Sequence, residues 1–122
     1  MPDTSEPSIF TRIIAREIPA DIVFESQRII AFRDITPQAP VHILVVPKTE
    51  NYRNVSELAL GDPALLAELV ATAKELAEEL AGGEYRLIFN EGESAGQTVF
   101  HVHAHVLCAD VGGELAEGSL GQ

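Results

Sequence analysis

The sequence predicts an α+β domain: a small five-stranded antiparallel sheet with one long and one short helix. Three observations carry that expectation. From residue 63 to residue 81, apolar side chains recur with the 3.6-residue period of a helix. Around that stretch lie short runs rich in β-branched and aromatic residues, several joined by connections short enough for hairpins. Residues 101–107 read His-Val-His-Ala-His-Val-Leu, a strict alternation of imidazole and apolar side chains. Neighbours two apart on a strand share a face, so a strand here puts His101, His103 and His105 in one row and Val102, Ala104 and Val106 in the other. A helix would scatter the three histidines around its circumference.

Residues 1–7 hold two prolines and polar side chains and read as a flexible N-terminus. Ser8 is a good cap for a short helix over 9–16, with Ile9, Phe10 and Ile13 on its apolar side and Pro19 beyond its end. Strands are expected over 22–25 and 29–34, joined tightly through 26–28. In the second, Ile30, Phe32 and Asp34 share a face. An acid in line with an aromatic ring suits a pocket that takes both a flat ring and a hydroxyl-bearing group. Residues 35–40 carry Pro37 and Pro40 and form a loop. Strand 42–47 closes on a proline and places His42, Leu44 and Val46 together.

Residues 48–60 are a polar connection with room for one helical turn. The long helix follows, with Asp62 as cap, Pro63 at its first position and Gly82-Gly83 at its end. Leu65, Leu66, Leu69, Val70, Ala73, Leu76, Ala77 and Leu80 make its buried stripe, while Glu68, Glu75, Glu78 and Glu79 face water. A strand over 85–90 and a glycine-containing loop over 91–98 lead to the histidine strand. The domain spans 8–110, and 111–122 is an acidic, flexible tail.

The chain has 122 residues, 8 Lys+Arg against 19 Asp+Glu, and a formal charge of −11. No basic cluster is present to follow a nucleic-acid backbone, which excludes a polymer groove. The same field repels small anions at long range, so a phosphate here must be held by short-range neutral donors. No apolar run approaches the ~20 residues of a membrane span. The single cysteine, Cys108, and the polar N-terminus without an apolar signal segment fit a cytoplasmic protein.

A neutral imidazole is a good nucleophile near neutral pH. Beside the histidine row, the loop offers backbone N–H groups at Gly92, Ser94 and Gly96 and the side chains of Gln97 and Thr98, with Asn90 just before it. Such a set suits attack on phosphorus, where the added charge spreads over oxygens. The rival chemistry is zinc, since His-x-His on a strand can offer two ligands, with His42 as a third. Three same-face residues span ~13 Å at ~3.3 Å per residue, which strains a site built from that strand alone.

The pattern His-φ-His-φ-His-φ-φ over 101–107, with φ hydrophobic, resembles the histidine triad family. Further stretches resemble its nucleotide-binding branch: Ser8-Ile9-Phe10, Ile13-Ile14, Glu17-Ile18-Pro19-Ala20, the run Ala31-Phe32-Arg33-Asp34-Ile35-Thr36-Pro37-Gln38-Ala39-Pro40, 42–48, Asn90-Glu91-Gly92 and Gly96-Gln97-Thr98-Val99-Phe100-His101. The resemblance implies a homodimer whose two sheets join into ten strands, purine nucleotide binding, and metal-free hydrolysis of nucleoside phosphoramidates. It makes His103 the nucleophile and His105 the contact to the α-phosphate. It makes the His101 carbonyl the acceptor for the His103 ring, with His42 in support. Asn90, Gly96, Gln97 and Thr98 match phosphate-side positions. Asp34, with Arg33 beside it, matches the ribose side. Ile9, Phe10, Ile13, Ile18, Phe32, Ile35 and Leu44 match the base pocket. Thr98 stands where some members carry serine, and no tryptophan follows the triad. A nucleotide-binding regulator without catalysis is the other reading of the same pocket.

Overall fold

The computed structural model describes residues 7–110 and 113–115. Five strands form one sheet: β1 (Ile22–Glu25), β2 (Ile29–Arg33), β3 (Val41–Pro47), β4 (Arg86–Ile88) and β5 (Ala104–Cys108). Their order is β1-β2-β3-β5-β4, and every neighbouring pair is antiparallel. The helices are α1 (Ile9–Ile14), α2 (Val55–Gly61) and α3 (Pro63–Ala81). Most of the expected tail and of the expected flexible N-terminus lies outside the described residues.

The pleat divides the sheet into two apolar faces. On one, Leu65, Leu69, Ala73, Leu76 and Ala77 of α3 pack on Ile29, Ala31, Ile43, Val45, Ala104 and Val106. On the other, Phe10 and Ile13 of α1 pack on Ile30, Phe32, Leu44 and Val46. Both faces of β2, β3 and β5 are therefore buried, which is why their sequences carry few charges.

α3 has the predicted boundaries. The Asp62 carboxylate accepts from Leu65 N, Pro63 opens the first turn, and Gly82 ends it at φ 81° in the left-handed region. α1 stops two residues before its expected end. Arg16 turns left-handed at φ 64°, its N–H bonds Ile13 O, and Glu17 N–H reaches back to Arg12 O. That pair of bonds is a Schellman closure, with arginine where glycine is usual.

Two expectations are corrected. The stretch expected as a connection forms a two-turn helix, α2, so the described residues hold two short α-helices and a long one. Asn54 caps α2 by accepting from Glu57 N, and Leu58 is buried under it. The strand predicted over 101–107 begins only at Ala104. Its partner β3 ends in Pro47, which has no N–H to continue a ladder. Residues 101–103 are instead held by separate bonds: Val102 N donates to Tyr52 O at 3.0 Å, and the His101 ring takes Pro47 O. The alternation survives this change, since Val102 lies in the core under α3 while the His101 and His103 rings meet Phe10.

A histidine-lined candidate active site

Register brings the fourth histidine to the other three. β3 and β5 pair with His42 opposite Leu107 and Leu44 opposite His105. His42 and His105 are thus diagonal neighbours on one face, near enough for rings to meet. His42 Nε2 lies 3.0 Å from His105 Nδ1. The His103 and His105 ring centroids are 5.1 Å apart, and those of Phe10 and His103 are 4.9 Å apart with the rings edge to face.

Backbone groups decide where each ring proton sits. His103 Nδ1 is 2.8 Å from His101 O. A carbonyl can only accept, so Nδ1 carries the proton and Nε2 presents a bare lone pair. His101 Nε2 lies 2.7 Å from Pro47 O and is protonated by the same logic. His42 Nδ1 accepts from Gln38 N at 3.0 Å, which leaves the His42 proton on Nε2, facing His105 Nδ1. The His105 proton is consequently on Nε2, pointing away from His42. One ring offers an electron pair and another offers an N–H.

These rings are neutral near pH 7. Burial pushes the His105 imidazolium down to about 3, with the His103 and His42 rings adding to the shift. His103 is lowered first by burial, with its bond to His101 O acting against this. His42 is lowered by burial, and the Asp34 carboxylate opposes that. All three are close to fully buried, at 9 % exposure or less, with Phe10 of α1 against His103 and the His42 and His105 rings against each other.

Asp34 comes just after β2. Its Oδ1 accepts from Thr36 N at 2.8 Å and its Oδ2 lies 3.5 Å from His42 Nε2. Asp34, His42 and His105 place potential ligand atoms within 4.8 Å of one another. As bonded here, His42 directs its one ring proton to His105 Nδ1 and accepts at Nδ1 from Gln38 N, an arrangement that orients His105. A ligating histidine donates its other ring N–H to an acceptor, whereas His42 Nδ1 receives a backbone N–H from Gln38. A metal on Nε2 would leave that contact with two opposed hydrogens.

The apolar wall beside the triad is built from Phe10, Ile13, Phe32 and Leu44, all buried, with Ile18 and Val99 packed against it. Phe10 and Phe32 meet at 5.6 Å between ring centroids. Ile9 is half-exposed at the rim. Two residues expected at the site, one for the base pocket and one beside Asp34, stand elsewhere. Ile35 is 94 % exposed, because the Asp34–Thr36 turn swings it outward. Arg33 shares the face of Ile29 and Ala31, away from the histidines, and its Nε pairs with Asp21 Oδ2 at 3.3 Å.

The loop after β4 also differs from expectation. Glu93–Ala95 forms a 3-10 turn closed by Gly96 at φ 97°. Gly92 N donates to Gln97 Oε1, and Gly96 N donates to Glu93 O. Two of the three N–H groups expected to hold an anion are therefore bound within the loop. Gln97 is buried, and its Nε2 donates to both Arg53 O and Val99 O. It braces the loop and has no free donor. Thr98 is exposed at the loop's end, and Asn90 is half-buried just after β4. Sequence reasoning missed Gln38, Pro47 and Tyr52, whose contributions are backbone groups without any residue signature. It read Ser8 only as a helix cap, yet Ser8 Oγ also lies 2.7 Å from His101 Nδ1.

A family model described as HIT domain matches residues 15–111. The chain is 51% identical over 105 residues to an uncharacterized HIT-like protein of Synechococcus elongatus, covering 84% of this chain and 90% of that one. It is 41% identical over 107 residues to the adenylylsulfatase HINT1 of Arabidopsis thaliana, covering 85% of this chain and 72% of that one. Among solved structures, a HIT family hydrolase from Clostridium thermocellum superposes with a TM-score of 0.80 at 43% identity, covering 89% of this chain and 96% of that one.

Proposed function

Because the chain belongs to the HIT domain family, we propose that it is a nucleotide-binding hydrolase that cleaves nucleoside phosphoramidates. The observation that carries this reading is the His103 tautomer, with Nδ1–H fixed on a carbonyl and Nε2 bare. Nε2 attacks the α-phosphorus and forms an N–P bond. The P–N bond to the amine breaks, and the amine departs with that electron pair and a proton. His105, donating from Nε2, holds a non-bridging oxygen without bringing a charge. Water then attacks the same phosphorus, which releases the nucleoside monophosphate and restores His103. Two easier displacements replace one hard one.

His105 is held near 3, so it carries no extra proton at neutral pH. The amine's proton therefore comes with the substrate or from solvent at the mouth of the site. The Arabidopsis relative is named for an adenylyl sulfate, whose leaving group needs no proton. The wall of Phe10, Ile13, Phe32 and Leu44 supports a purine site with Ile9 and Ile18 at its edge, and Asp34 supports ribose recognition. Asn90 and Thr98 are assigned to the phosphate side, and Gly96, whose N–H is bound to Glu93 O, shapes the loop. The working form is a cytoplasmic homodimer joined through sheet edges. Among the described residues no helix is long and apolar enough to cross a membrane.

The test is turnover of an adenosine phosphoramidate by the purified chain, with and without chelator. Hydrolysis unaffected by chelator is expected, and rapid acid quench should find one nucleotidyl group on the peptide containing residues 101–107. His103→Ala should keep nucleotide affinity and lose turnover by ~10³-fold or more. Residual turnover within about tenfold of the parent would make direct attack by water the better mechanism. Nucleotide binding with no turnover at all would leave the regulatory reading.

A further inference from the structure

The hydroxyl of Ser8 serves two elements at once. It accepts the Thr11 N–H at 3.1 Å, which caps α1. It also lies 2.7 Å from His101 Nδ1. His101 is buried, and its Nε2 proton is committed to Pro47 O. Nδ1 is therefore an acceptor, and the single hydroxyl proton of Ser8 goes to it. The Thr11 hydroxyl, 3.2 Å from Ser8 Oγ, is bonded to the Glu50 carboxylate, which also takes the Ser8 N–H at 3.0 Å. Glu50 thus holds the start of α1 from outside while His101 holds it from within.

We propose that Ser8 is a positioning residue for the triad, coupling the seating of α1 to the setting of His103. The coupling runs through His101. Its carbonyl holds the His103 Nδ1–H at 2.8 Å, and its ring is pinned at both nitrogens. The next residue, Val102, is fixed by Tyr52 O. The carbonyl that selects the nucleophile's tautomer therefore has little room to turn. From the other side, α1 lays Phe10 on both rings, with centroids 5.8 Å from His101 and 4.9 Å from His103. Removing the Ser8 hydroxyl leaves a buried ring nitrogen without its donor, and such a group is expensive to leave unpaired. The His101 ring then shifts or admits water, and the His103 tautomer is no longer unique. The same α1 carries Phe10 and Ile13 of the base wall, and the Glu50 contacts to Ser8 N–H and the Thr11 side chain hold it there without the Ser8 hydroxyl.

The kinetic part of this proposal rests on His103 being the nucleophile, and the spectroscopic part does not. The experiment compares the full chain with Ser8→Ala, Ser8→Gly and Ser8→Thr. Glycine is well tolerated at helix caps, so Ser8→Gly keeps the proposal testable if Ser8→Ala fails to fold. Nitrogen-15 NMR of the imidazoles should show a single Nδ1–H tautomer of His103 in the parent and in Ser8→Thr. The Ala and Gly variants should show averaged shifts. With an adenosine phosphoramidate, kcat should fall at least about tenfold in both, with KM within about twofold, the size expected for a small misplacement of a reacting group. Ser8→Thr should restore kcat. A unique His103 tautomer in Ser8→Gly, or a loss expressed in KM alone, overturns the proposal. If the parent hydrolyses no phosphoramidate, the function proposed above fails and the tautomer readout alone decides this one.

Discussion

The His103 proton is set by the carbonyl of His101, two residues before it, while those of His101 and His42 are set by Pro47 O and Gln38 N, far from the 101–105 row in sequence. Asp34 stands at the edge of this network, with one oxygen on Thr36 N and the other facing His42. Asp34→Ala should weaken binding of adenosine monophosphate by ~1.5–3 kcal/mol, the range for hydrogen bonds to a charged group. By calorimetry the loss should be much smaller for a 2′,3′-dideoxy analogue, which offers no ribose hydroxyls. Asp34→Asn keeps an acceptor for the turn and separates its collapse from the lost contact. Equal losses for both ligands would remove Asp34 from the ribose. The histidine row and the Phe32–Asp34 alignment were legible in the sequence, because both follow from two-residue alternation. The family resemblance implied the His103 tautomer, and the 2.8 Å contact from its Nδ1 to His101 O agrees with it; the tautomers of His42 and His101 were not legible, since each depends on a backbone group that any residue type could supply. Arg33 was misassigned because adjacency in a motif says nothing about which face of the strand a side chain takes.

At the level of elements, legibility followed length and capping. α3 runs for 19 residues, with a cap, a proline and a terminal glycine, and its bounds were readable to the residue. Val70 is only half-buried and Thr72 is buried in its place, with its hydroxyl on Glu68 O. That difference lies at the edge of the stripe, where a threonine that satisfies itself can pass for an apolar residue. α2 buries Leu58 but leaves Leu60 89 % exposed, so seven residues show no usable period. Its one sequence signal is Asn54 three residues before Glu57, a capping pattern. Gly82 tests the end of α3 cleanly. At φ 81° with no atom within 4 Å of an added Cβ, a substitution there meets conformational strain and no clash. Gly82→Ala should destabilise by ~1–2 kcal/mol in urea unfolding, and Gly82→Asn by less, since asparagine tolerates the left-handed region. Equal stability of all three would mean that the helix end is not held in that conformation.

For the whole molecule, the buried histidines couple the site to acid stability. His42, His101, His103 and His105 are all lowered from an ordinary value of 6.5, in each case chiefly by burial. The unfolded chain takes up these protons as pH falls through about 6.5, while the folded chain resists, in the case of His105 until about 3. The unfolded state then binds more protons, so stability is greatest above that range and declines as pH drops. Each histidine that charges only on unfolding contributes up to ~1.4 kcal/mol per pH unit. Glu25, Glu50 and Glu57 are lowered below 4.5 by hydrogen bonds and extend the decline at lower pH. Between about 6.5 and 5 the slope therefore belongs to the histidines. The net charge of −11 works the other way, because a negative field favours imidazolium. Burial outweighs it for these rings, and added salt should steepen the slope by screening that field. Urea midpoints measured from pH 8 to pH 5 should be level above about 7 and then fall steadily, with His105→Asn flattening the fall. A midpoint that holds or rises on acidification to pH 5 would mean that the rings take up protons inside the folded protein. The neutral triad on which nucleophilic attack by His103 depends would then be wrong as well.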